Sequence, residues 1–299
     1  MSIENQEYAG LSFHRFTAWY LGIIFALSWA LQCLAVCTAG GINSQQAEPW
    51  LVATMFVPTL VSIAFLIRCK KQGIHILWKP NRQVFLCILL AVLVPTLLAF
   101  SVVAMVQQAG FGHSRWFAFS SAGVDVSGGP WVLGKGNQQW LYFIGNVGLT
   151  GLMFSLLNAI PAAGEEFAWR GFFQGFLTKR FGTLKGIVLL GFIWSMWHLP
   201  AQLAGYNYPE NPVWGSFILS PLELISVSLF LGWLTLYSKS FIPAAIAHGA
   251  GNSIQEGVIG SLELSVPRVY EDMMTLFATM ITGMLFWYLL RSKDLQKTT

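Results

Sequence analysis

The sequence predicts an all-α polytopic membrane protein of about eight transmembrane helices enclosing a polar cavity, and three observations predict it. Of its 299 residues, 55% are hydrophobic and only 10% charged, against about 25% charged in an ordinary soluble domain. Mean hydropathy is +0.58, and apolar runs close to the roughly 20 residues that cross a bilayer recur along the whole chain. Within those runs stand a few ionisable residues, each costing at least about 2.5–3.5 kcal/mol at a helix centre.

Taken in order, spans are expected over 16–39, 49–67, 84–106, 139–163, 186–203, 216–237, 241–257 and 270–290. The first begins after 15 residues and is too long for the apolar core of a cleavable signal peptide. The fourth is expected to run on, kinked at Pro161, through two glutamates toward Lys179. Proline is tolerated there if neighbouring helices satisfy the freed backbone groups. The longest connection, 107–138, is rich in Gly and Ser, and its role is not legible. With no soluble domain, repeat or low-complexity tail, residues 1–299 read as a single integral-membrane domain. Trp19, Trp50, Trp78, Trp116, Trp131 and Trp140 fall near span ends and suit an interfacial aromatic belt. Cys33, Cys37, Cys69 and Cys87 lack CxxC spacing and read as small core residues.

Charge placement sets the expected orientation. Arg15, the five cations of 68–82, the three of 179–185, Lys239, and Arg291, Lys293 and Lys297 put 13 positive charges on one side. The other side holds Arg115, Lys135 and Arg268, and Arg170 falls within the membrane. Lys and Arg accumulate in cytoplasmic loops, so eight spans with both termini cytoplasmic, in the cell membrane, fit this split. The net charge of +4 therefore reflects topology and not nucleic-acid binding. Lipid is the expected surrounding partner.

The stretch GEEFAWRG, 164–171, raises the functional question, because it places two carboxylates and an arginine in apolar surroundings. Glu166 and Arg170 are four residues apart, on one helical face, and can pair. Glu165 lies about 100° round the helix and must face something else. His198 with Gln202, and His248 with Asn252, also share faces at four-residue spacing. Helical rise puts His198 about 16 Å from the Ile187 end of its span, His248 about 10 Å and Asn252 about 16 Å from Phe241. Glu165 stands about 21 Å from Lys179 by the same rise, less with a tilt of about 20–30°. Three helices thus bring Glu, His, His and Asn to similar depth. Glu223 and Glu256 read as structural or interfacial, and His14, His75 and His113 as solvated.

This set suffices for peptide hydrolysis. A buried carboxylate near an arginine can act as general base toward water, and a histidine can hold the water or pass a proton. A second histidine and an asparagine amide can donate to the tetrahedral oxyanion. Ser195 precedes His198 by three residues, but no intramembrane Asp completes a serine triad. Two His and one Glu also form a catalytic zinc set. The HExxH spacing of common zinc peptidases is absent, however, and the ligands would come from three distant helices. No cofactor is expected, with zinc as the alternative. The polar cluster could also be the ion path of a transporter, although no inverted repeat of broken helices is visible.

Three motifs then carry a resemblance. GEEFAWRG fits the EExxxR motif of the CPBP family, the CAAX-prenyl-protease-like and bacteriocin-processing membrane peptidases. FIWSMWHLP, 192–200, is similar to the second motif, FxxxH, with Trp194 in the Phe position, and HGAGN, 248–252, fits HxxxN. The motif-bearing segment is 140–257. The resemblance implies an intramembrane endopeptidase whose cavity opens toward the cytoplasm. It implies Glu165 as the water-activating base, His198 as its partner, and His248 with Asn252 as transition-state stabilisers. Glu166 and Arg170 would support them. A peptide or protein substrate, prenylated in some members, is the implied partner; a non-catalytic scaffold or bacteriocin-immunity protein on the same fold is the alternative.

Overall fold

The computed structural model describes residues 12–69 and 81–292. Lys70, Lys71, His75, Trp78, Lys79, Lys293, Lys297 and the side chain of Cys69 lie outside the described set. The described residues are mostly helical: α1 (Phe13–Val36), α2 (Glu48–Cys69), α3 (Arg82–Gln108), α4 (Trp140–Glu166), α5 (Gln174–Phe181), α6 (Thr183–Trp197), α7 (Leu199–Leu203), α8 (Pro212–Trp214), α9 (Ser220–Ser238), α10 (Ile242–Ala250), α11 (Glu256–Gly260) and α12 (Val269–Leu290). Six continuous helical stretches are long and apolar enough to cross a membrane: Phe13–Val36, Glu48–Arg68, Arg82–Gln108, Trp140–Phe181, Pro212–Ser238 and Val269–Leu290.

Two further stretches cross the same thickness although they are shorter or broken. At one end of the bundle, Asn81 caps α3 by accepting from Val84 N–H and donates to the Ser238 carbonyl at 2.6 Å. At the other, Ser114 and Ser261 share a hydroxyl hydrogen bond of 2.8 Å. Residues 242–260 must therefore run the length of α3. Similarly, Phe13 packs edge-on against Phe181 at 5.8 Å, while Gln32, near the far end of α1, donates to the Trp197 carbonyl at 2.9 Å. Residues 183–203 run between those ends. The two ends differ in charge. The basic end carries Arg15, Arg68, Arg82, Lys179, Arg180, Lys185, Lys239 and Arg291; the loop end carries Arg115, Lys135 and Arg268.

The helical hydrogen-bonding widens to a π pattern at Phe167–Phe173, Gly215–Leu219 and Gly251–Gln255. Such bulges insert a residue and re-aim side chains, often at functional sites. The fourth span does continue to Phe181, and its irregularity begins just beyond the paired glutamates.

Helices approach closely where glycine permits. A Cβ on Gly249 of α10 would come within 2.6 Å of the Ala159 nitrogen and the Ser155 carbonyl oxygen of α4. One on Gly164 would meet the Met55 carbonyl of α2 at 2.8 Å. The largest apolar cluster, including Phe16, Tyr20, Trp169, Phe173, Leu190 and Leu234, fills the bundle toward the basic end.

Connection 109–139 is not a plain loop. Strands β1 (Gly112–Ser114), β2 (Phe117–Phe119), β3 (Val124–Val126) and β4 (Gly136–Gln138) lie in it, with β5 (Leu262–Leu264) after α11. They form an antiparallel β2–β3–β4 sheet and a β1–β5 pair. Phe117, Val124, Val126 and Trp131 bury themselves over Phe143 and the loop end of α3. Asn146 and Thr150 of α4 accept from Leu133 and Val132 N–H, pinning the connection down. Trp131 is only 7% exposed and packs edge-on against Trp116, so these two indoles build this small core instead of an aromatic belt. Trp19, Trp50 and Trp140 are exposed, as a belt requires. Cys33, Cys37 and Cys87 are free thiols; Cys87 is buried, but Cys33 and Cys37 are exposed and not core residues.

Candidate active site

Glu165, His198, His248 and Asn252 line one cavity of about 430 Å³ within the helices. Glu165 is held by the second motif. The Trp194 indole N–H donates to Glu165 Oε2 at 2.8 Å, and the carboxylate is 1% exposed. Trp194 also meets the His248 ring edge-on at 5.2 Å and lies beneath the Arg170 guanidinium at 4.3 Å. One indole therefore touches members of all three motifs.

Glu166 faces away from the cavity. Its Oε1 accepts from Arg170 Nη1 at 2.9 Å and from His248 Nδ1 at 3.0 Å. Arg170 Nη2 donates to Ser228 Oγ of α9 at 2.8 Å. Glu166 and Arg170 are both 0% exposed, so this charged pair is fully desolvated and stable only while its hydrogen bonds hold. Because a carboxylate is acceptor-only, His248 must present Nδ1–H to it, which fixes the ring and leaves Nε2 as the free ring nitrogen. Two carboxylates, one arginine and a protonated His248 would balance in charge.

His198 lies at the junction of α6 and α7, edge-on to Trp197 at 4.6 Å. Its ring makes no hydrogen bond among the described residues, so it is available to a molecule in the cavity. Asn252 lies within the Gly251–Gln255 π segment and is exposed to the cavity. Ser195 is fully buried and shares a hydrogen bond with Ser220 at 3.0 Å.

Two residues escaped the sequence reading: Trp194 as a donor to Glu165, and Ser228 as the anchor of Arg170. The departure of Trp194 from the motif's usual Phe was the signal for the first. Ser228 carried none. Glu223 and Glu256 line the cavity as well. Tyr208 donates to Glu223 at 2.9 Å. Burial pushes the Tyr208 hydroxyl pKa upward and that of Tyr206 up to about 12, so both remain donors at neutral pH. Among the described residues, no three His, Cys, Asp or Glu side chains are arranged to hold a metal ion.

The cavity wall reaches Asn207, Tyr208, Gly260 and Arg268, all at the loop end. Cytoplasmic basic loops and a cytoplasmic cavity mouth, both expected from sequence, thus exclude each other.

Residues 146–254 match the family model of type II CAAX prenyl endopeptidase Rce1-like proteins. The similarity covers about a third of the chain. Every motif residue from Glu165 to Asn252 falls inside the Rce1-like segment. CAAX prenyl protease 2 of Methanococcus maripaludis is 32% identical over 112 residues, which are 35% of this chain and 40% of that relative. The match thus spans well under half of the curated relative's length.

Proposed function

We propose that this chain is an endopeptidase of the cell membrane that hydrolyses peptide bonds with a water activated by Glu165, without a metal ion. One observation carries the reading: four polar side chains from three separate helices meet in one cavity, with Glu165 and His248 each held by a second buried residue. The Rce1-like match and the name of the archaeal relative support peptide hydrolysis as the reaction class.

In this mechanism Glu165, steered by Trp194, takes a proton from a water that His198 helps to hold. The water oxygen attacks the peptide carbonyl carbon, and the oxyanion receives hydrogen bonds from His248 Nε2–H, with the ring protonated, and from the Asn252 amide. Glu165 then gives its proton to the leaving nitrogen as the C–N bond breaks. Donors fixed before the reaction stabilise developing charge without reorganising, which is what Glu166 provides for His248.

The test is turnover by the purified protein in proteoliposomes, using quenched-fluorescent peptides with and without a prenylated C-terminal cysteine. Glu165→Gln should abolish cleavage while leaving expression and folding near normal, because the neutral amide can still accept from Trp194. An active Glu165→Gln variant would remove the base from the mechanism. Cleavage of both peptides alike would separate hydrolysis from prenyl recognition.

A further inference from the structure

We propose that the cavity admits its substrate from the extracytoplasmic side of the membrane. The direction of the cavity rests on where its walls are open. Along the continuous helix 242–260, Asn252, Glu256 and Gly260 are exposed at successive turns, rising from the site to the loop end. In the other direction Ala244, Ala245, Ile246 and Ala247 are at most 4% exposed. The remaining helices agree. Gln32 stands near the last turn of α1, Leu51 and Thr54 near the start of α2, and Asp272 in the first turn of α12, and all four line the cavity from its loop end. Toward the basic end the site is closed by the main apolar cluster, in which Trp169, Phe173, Leu190 and Leu234 are all 0% exposed.

The side of the membrane follows from charge. Among the described residues, the closed end carries eight Lys and Arg residues and the open end three. The bias of cytoplasmic loops toward Lys and Arg places the closed end inside the cell. A peptide reaching Glu165 then comes from a secreted chain or the outer end of a membrane segment. This substrate class rests on the endopeptidase reading; the direction of access does not.

Labelling tests the direction independently of catalysis. In a cysteine-free background, single variants Gln45→Cys, Asn207→Cys, Glu256→Cys and Ser292→Cys are exposed in intact cells to a membrane-impermeant maleimide. Full labelling is expected at 45, 207 and 256, and none at 292 until the membrane is permeabilised. Labelling of 292 from outside would overturn the orientation. Labelling of 256 only after permeabilisation, with 45 accessible from outside, would overturn the open end. Asn207→Cys, at the mouth, serves the same purpose if Glu256→Cys fails to fold. Cleavage is then read in right-side-out and inside-out vesicles with a membrane-impermeant quenched peptide. Turnover confined to right-side-out vesicles, absent in Glu165→Gln, is expected, and turnover confined to inside-out vesicles would overturn the proposal. Correct labelling without cleavage in either would sink the endopeptidase reading while leaving the direction intact.

Discussion

Trp194→Phe is the sharpest probe of how the base is held. The substitution removes the indole N–H that lies 2.8 Å from Glu165 Oε2 and keeps an aromatic face for the Arg170 guanidinium, now 4.3 Å from the ring centroid. Trp194 is 3% exposed, and only water in the cavity beside Glu165 can take over part of the lost donation. A hydrogen bond to a charged group contributes about 1.5–3 kcal/mol. If all of that is felt in the transition state, kcat falls roughly 10- to 150-fold, since each 1.36 kcal/mol is tenfold. The smaller ring also loses packing, which thermal unfolding in detergent measures separately. In the proposed mechanism Trp194 acts on the base and not on the substrate, so KM should stay near its original value. The usual Phe at this motif position makes the variant an informative one: the site must then hold Glu165 without an indole. A Trp194→Phe enzyme with unchanged kcat would refute the claim that this bond positions the base.

Other outcomes follow from the same geometry. Arg170→Ala leaves Glu166 buried with His248 as its remaining partner and should cost about 3–5 kcal/mol of stability, read as reduced folded yield and a lower unfolding temperature. Asn252→Ala should raise the barrier by about 3–4 kcal/mol, by analogy with other oxyanion donors, with little change in KM; a change in KM alone would reassign Asn252 to binding. Exhaustive chelation should leave activity intact and metal analysis should find substoichiometric zinc. One zinc per chain, lost and regained with activity, would make His198, His248 and a glutamate its ligands.

The spans were legible because lipid imposes one rule on every residue that faces it: Leu141, Leu89 and Leu60, more than 60% exposed, are the pattern that a hydropathy reading detects. The expected start of the first span at 16 and the observed Phe13 differ by a single turn, because nothing in an apolar run marks where helix ends and interface begins. The strands of 112–138 were not legible. At three residues each they are too short for alternation to register, and their burial depends on Phe143, Asn146 and Thr150 of the next helix. The site divided similarly. Spacing alone put Glu166 with Arg170, a contact of four residues. The Glu165–Trp194 and Arg170–Ser228 bonds join residues 29 and 58 apart, and only the packed bundle decides such pairs.

The glycine contacts beside the motifs bear on the transporter alternative. A carrier that exposes its ion path alternately to each side must let one group of helices rock against another. Here Gly164 adjoins Glu165 and Gly249 adjoins His248, and at both the backbones touch with no room for even a methyl group. Rocking the helices there would alter a main-chain contact that sets the spacing of the polar groups. The two glycines act as the spacers of a fixed jig. In a mutational scan their alanine variants should score as badly as loss of Glu165 itself, although neither glycine would touch a substrate.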